Sequence, residues 1–228
     1  MPSVDGVQPG DEALGTRTRY TRREETVHAV THGAGLLLSV GGLAVLVAIA
    51  GLRGSSLHVA GCGIFGAGLV ALYGASTFYH GARAPRLKSI LQRLDHSAIF
   101  LLIAATYTPF LLVGLGGGWS FPLLGLIWAL AIIGIVLQVA VPRARRWSVP
   151  LYLGMGWVVI AVVEPLSHSL GRAGLALLVS GGLAYSAGLV FYKWERLPYN
   201  HAVWHLFVLM GSGLHFACVL GFVIPRGV

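Results

Sequence analysis

The chain opens on 27 polar and charged residues and then alternates between long apolar runs and short polar gaps. Runs rich in Leu, Val, Ala, Ile and Gly fall at 28–51, 57–80, 95–113, 119–141, 149–165, 174–192 and 201–224. Crossing the hydrocarbon core of a bilayer takes about 20 mostly apolar residues in helical form. Lipid offers the backbone no other partner, so a helix that pairs its own N–H and C=O groups is the solution open to such a run. The pattern predicts an all-α integral membrane protein, a bundle of seven transmembrane helices over 28–228 behind a polar tail over 1–27. The fifth run is the shortest. Seven spans with short connections consume nearly all of the 228 residues, which leaves little room for anything outside the membrane domain.

The gaps decide orientation, because Lys and Arg in short loops mark the cytoplasmic side. Arg17, Arg19, Arg22 and Arg23 precede the first run; Arg83, Arg86, Lys88 and Arg93 lie between the second and third; Arg143, Arg145 and Arg146 between the fourth and fifth; Lys193 and Arg196 between the sixth and seventh. Of the 16 cations, Arg53, Arg172 and Arg226 alone fall in the alternate gaps. This alternation predicts a cytoplasmic N-terminus and a C-terminus outside. The tail lacks the apolar segment and small-residue cleavage site of a signal peptide, so the first span is expected to serve as the insertion signal.

Composition strengthens the membrane reading, with 56% apolar and 11% charged residues. The formal net charge of +8 does not argue for nucleic acid, because the cations sit in short gaps between apolar runs and form no basic surface. The expected partners are membrane lipids, and the expected location is the cell membrane, as a multi-pass protein. The sequence leaves the oligomeric state open. Cys62 and Cys218 are too few and too far apart for a zinc ribbon or a disulfide framework. Among the 32 glycines, Gly61, Gly63, Gly66, Gly68, Gly181 and Gly182 lie in spans, where small residues permit close helix contact. Pro109 should kink the third span. Trp119, Trp147 and Trp194 stand at span ends, as an interfacial aromatic belt requires.

An ionisable side chain at membrane depth is costly and marks a functional candidate. His28 and His32 open the first span, Ser76 and His80 close the second, Asp95 and His96 open the third, and His201 and His205 open the seventh; all fall on the cytoplasmic side. His58, His168 and His215 lie towards the other face. Ser76 and His80 are four residues apart, as are His201 and His205, so each pair shares one helix face. One histidine from the second span and two from the seventh would supply three neutral imidazoles, the ligand set of a zinc site that keeps a fourth position for water. Asp95 at similar depth would accept a hydrogen bond from that water, whose pKa zinc lowers towards about 7. Spacing alone leaves other readings open: histidines bonded to backbone or headgroups, Ser76 bonded back to its own helix, and Asp95 as a helix cap paired with Arg93 or Lys88.

The stretches EETVHAVTHGAG (24–35), STFYH (76–80), LDHSAIFLLIAATYTPF (94–110) and HAVWHLFVLMGSGLHF (201–216) resemble the hemolysin III family, the bacterial branch of the progestin and adiponectin receptor superfamily. The SxxxH, Asp and HxxxH elements stand in the family's order. The resemblance implies seven helices in the bacterial cytoplasmic membrane, with the N-terminus cytoplasmic and a Zn²⁺ near the cytoplasmic helix ends. His80, His201 and His205 match the metal ligands, Asp95 the acidic residue beside the metal's water, and Ser76 the serine of the second-helix motif. His28 and His32 match the first-helix motif, for which a supporting role is expected. The superfamily includes alkaline ceramidases, so the resemblance implies a zinc-dependent hydrolase of lipid amides or esters, with lipid entering between helices. Two other functions fit the same pattern: a membrane-homeostasis or signalling protein whose zinc is structural, and a cytolysin or pore former. The last is disfavoured physically, because no span carries regularly spaced polar residues.

Overall fold

The computed structural model describes residues 20–115 and 118–224. Most of the polar tail, including Arg17 and Arg19, lies outside the described residues, as does Arg226. The described chain is all-helical: α1 Arg22–Arg53, α2 Ser56–Gly81, α3 Pro85–Pro109, α4 Ser120–Ala140, α5 Ser148–Trp157, α6 Val163–Lys193 and α7 Asn200–Cys218. Among the described residues six helical segments are long and apolar enough to cross a membrane. Their surface is that of a protein solvated by lipid. Leu37 and Leu52 are 77% and 84% exposed, whereas His28 and His205 are fully buried, the reverse of a water-soluble domain. The protein is a multi-pass membrane protein.

Two helices begin earlier than their apolar runs, for local reasons. The apolar part of α1 starts at residue 28, but the helix starts at Arg22 because Thr21 and Glu24 form a capping box. The Glu24 carboxylate accepts from the Thr21 N–H at 2.8 Å, and the Thr21 hydroxyl accepts from the Glu24 N–H at 3.3 Å. The last residues of the predicted tail are therefore helical. Likewise α3 starts at Pro85, a residue suited to the first helical turn, and Leu87, Ile90, Leu91 and Leu94 carry helical periodicity up to the third run. Asp95 thus sits nearly three turns inside α3 and is no helix cap. At the other end, Pro109 lacks the N–H that would continue the ladder. The chain goes on as a π-helical turn, Phe110–Gly114, closed by a bond from the Leu115 N–H to the Phe110 carbonyl at 2.7 Å.

The fifth membrane-length segment, Pro142–Lys193, has 52 residues. A straight α-helix of that length would reach about 78 Å, far beyond a hydrocarbon core of about 30 Å. It is not straight. Gly171 adopts φ 64° and ψ 179°, a conformation that essentially only glycine reaches without strain. Around it the chain doubles back, so that the Trp157 indole N–H donates to the Ser186 hydroxyl at 3.1 Å, 29 residues away.

Consecutive helices α1, α2 and α3 pack side by side, α6 packs on α7, and α7 returns to α1. Close contact rests on small residues. A Cβ on Gly66 would stand 3.0 Å from the Leu43 Cα, and one on Gly68 would stand 2.6 Å from the Ala105 Cβ. Gly63 has no such neighbour. Antiparallel packing puts the apolar ends of these helices together, and Leu46, Ala50, Cys62, Phe65, Phe110 and Val219 form the core there. The opposite ends of α1, α2 and α7 carry His28, His32, His80, His201 and His205.

Candidate metal centre

Three helix ends meet at one point: the first turns of α1, the last of α2 and the first of α7. Spacing of four residues aims His28 with His32, Ser76 with His80, and His201 with His205 from each helix towards that point. Ring centroids of His28, His80, His201 and His205 lie 4.5–5.5 Å apart. All four rings are buried.

Among the described residues, both ring nitrogens of His28 and of His205 have no hydrogen-bond partner, nor do Nε2 of His80 and Nε2 of His201. Buried polar atoms ordinarily find partners, so a cluster of unpaired ones marks a ligand site. One nitrogen each from His28, His80 and His201 lies within 4.8 Å of the other two, a group that can hold a metal ion. Neutral imidazole nitrogens suit zinc and other borderline-soft cations. The donor set therefore fits a metal.

The Nδ1 atoms of His80 and His201 are engaged. The Glu25 carboxylate accepts from His80 Nδ1 at 2.7 Å and also holds the Lys88 ammonium at 3.0 Å. The Tyr20 hydroxyl stands 3.2 Å from His201 Nδ1.

A chain of contacts leads from the histidines to Asp95. The His32 ring stacks on His205 with centroids 3.4 Å apart. Its Nδ1 shares a 2.7 Å hydrogen bond with the Ser76 hydroxyl, and Ser76 in turn reaches the buried Asp95 carboxylate. Asp95 and His32 line a cavity of about 410 Å³ between α3, α5, α6 and α7, a size within the range of ligand pockets. Leu102, Leu153, Leu189 and Val208 give its depth an apolar wall, and Arg93, Arg145, Arg146 and Lys193 line it where the polar ends of the helices lie. His96, beside Asp95 on the chain, turns to another helix, with Gln138 Nε2 3.1 Å from its Nδ1.

The structure thus gathers His80, His201 and His205 in one cluster and places Ser76 and Asp95 together beside it. It also puts His28 in the group with the closest nitrogens, whereas the sequence reading gave that residue a supporting role. The signal was legible in the spacing of His28 and His32, which matches that of the pair on α7. His58 and His215 stand apart: His58 accepts from the Ser55 N–H at 3.1 Å, and His215 Nε2 donates to the Leu178 carbonyl at 3.0 Å. Cys62 and Cys218 are both free and buried.

The family model described as Haemolysin-III related matches residues 20–216. The chain is similar to Hemolysin-3 of Bacillus cereus, at 44% identity over 91% of this chain and 96% of the relative. It is also similar to the Hemolysin-3 homolog of Bacillus subtilis, at 45% identity over 90% of this chain and 97% of the relative. The kinship extends to animals: the human Monocyte to macrophage differentiation factor is 32% identical over 68% of this chain and 67% of its own length. A match that runs from just before α1 into the last turn of α7, and takes in every histidine of the cluster, places this chain in the haemolysin-III family.

Proposed function

We propose that the protein is a zinc-dependent hydrolase of lipid amides or esters, with Zn²⁺ held by His80, His201 and His205. The observation that carries this reading is the contact chain from the unpaired imidazoles through His32 and Ser76 to Asp95, which faces a cavity with an apolar depth. Zn²⁺ at this point would supply a Lewis acid and a water made reactive at neutral pH. Asp95 would serve there as the general base and acid, taking up a proton as a water attacks the lipid carbonyl and returning it to the departing amine or alcohol. Ser76 and His32 hold the carboxylate in place. The cavity wall takes the acyl chain out of water, and lipid enters it from the membrane between helices.

The topology that suits this chemistry has seven spans, with the segment Pro142–Lys193 counted as two. The fold-back at Gly171 supports that count, as does the alternation of cations along the sequence. The N-terminus is then cytoplasmic, the C-terminus outside and the metal near the cytoplasmic face of a bacterial cell membrane.

The test is fatty-acid release from ceramides and ester lipids in mixed micelles by purified, zinc-loaded protein. Release by the wild type and its loss in Asp95→Asn with zinc retained is the expected outcome. A zinc-loaded protein inert on the whole panel would sink the reading.

One observation favours a second function. His28 lies in the closest nitrogen triad with both of its nitrogens unpaired, and four imidazoles around one ion make a closed, structural site. In that case the protein is a membrane-homeostasis or signalling protein, and Asp95→Asn leaves its effect on cellular membrane composition intact.

A further inference from the structure

The start of α1 carries more than a candidate ligand. Glu25, one turn before His28, bonds to His80 Nδ1 at 2.7 Å across the gap to α2. A carboxylate only accepts, so Nδ1 carries the proton and, in a neutral ring, the lone pair is on Nε2. That Nε2 is the buried, unpaired atom among the other imidazoles. Glu25 is itself fixed, because its second oxygen binds the Lys88 ammonium of α3 at 3.0 Å. Lys88 is fixed in turn by donating to the Tyr79 carbonyl at 3.3 Å and lying 4.8 Å from the Tyr79 ring centroid. Three helices thus join in a relay of named atoms that ends on one ring nitrogen.

We propose that Glu25 is the positioning residue of the metal centre: it selects the His80 tautomer and orientation that present Nε2 to the ion, and Lys88 holds Glu25 in place. This rests on the reading that the histidine cluster binds a metal, and it holds whether the site is open or closed. An ordinary ion pair tying α1 to α2 is the competing account. It fits less well, because Lys88 already supplies the cation for Glu25, and a protonated His80 would bury an Nε2–H that has no hydrogen-bond partner where it stands. Outer carboxylates that bond a ligating histidine raise its basicity and hold its ring, and their loss costs roughly 10–100-fold in metal affinity.

The test uses the full chain in detergent, stripped with chelator and titrated with Zn²⁺ against a chromophoric competitor. Co²⁺ then reports ligand geometry through its visible absorption. Glu25→Gln should weaken Zn²⁺ binding 10–100-fold and change the Co²⁺ spectrum, Glu25→Asp should recover part of the affinity, and Lys88→Gln should give a smaller loss. Glu164→Gln, at an exposed carboxylate far from the cluster, should match the wild type. Affinity and Co²⁺ spectrum unchanged in Glu25→Gln would overturn the proposal while leaving the metal site standing. A lowered Tm that is equal with and without Zn²⁺ would overturn it in the same way, as the mark of a purely structural ion pair. Failure of the wild type to bind Zn²⁺ would remove the metal reading and the proposal together. Should Glu25→Gln not fold, Lys88→Gln carries the test, and unchanged affinity there overturns the relay.

Discussion

At the scale of single residues, the discriminating pair is His28 and His205. Both are fully buried with both ring nitrogens unpaired, yet they answer differently to the two proposed functions. In an open site, metal analysis of purified His205→Ala should find zinc falling from about one per chain to near none, while His28→Ala keeps it. A closed site requires both variants to lose it. His80→Ala should lose zinc under either function. What was legible at this scale was the residue type and the spacing: HxxxH and SxxxH put two side chains on one face, and the order of these pairs along the chain brought the family resemblance. What was not legible was which nitrogens would approach most closely. That depends on the rotation of α1 about its axis, which packing against α2 and α7 sets and which no spacing within α1 encodes. Glu25 was hidden for the same reason, since its partners His80 and Lys88 stand 55 and 63 residues away in sequence.

At the scale of elements, hydropathy found the helices but misplaced their ends. The capping box and Pro85 extend α1 and α3 outwards from their apolar runs, because helix starts are set by short polar motifs that a hydropathy window averages away. The extension matters for the site, since it puts Tyr20 and Glu25 within reach of the histidines. Thr21→Ala should destabilise the start of α1 by about 1 kcal/mol, read as faster amide exchange over the first turns of that helix. Gly171→Ala is the stronger test of the fold-back. An alanine held at that positive φ costs about 1–3 kcal/mol, and thermal denaturation in detergent should show a correspondingly lower Tm, while alanine at Gly213, with open space around its Cα, should be neutral. Gly68→Val should be worse than either, because Ala105 already stands where its Cβ must go.

At the scale of the whole molecule, the fold buries a cluster of histidines at one end and exposes large apolar side chains such as Leu37 and Leu52 along its helices, the arrangement of a protein solvated by a bilayer. The alternation of Lys and Arg predicts that a periplasm-active reporter fused to the C-terminus is active and one fused to the N-terminus is silent; the opposite pattern would reverse the proposed orientation. Chelation offers a second global measure. Metal binding to the native state adds RT ln(1 + [L]/Kd), about 2.7 kcal/mol at a hundredfold excess over Kd, so stripping zinc should lower the Tm of the wild type and leave His80→Ala unmoved.

The histidines that converge come from α1, α2 and α7, so those of α7 emerge only after α3, α4, α5 and α6 have been made. Until α7 has inserted and packed back against α1, His28 and His80 wait without His201 and His205. A metal site that needs imidazoles from all three helices would therefore close only once α7 has packed back against α1. Under the proposed metal reading, a bound ion would report that α1 and α7 have met.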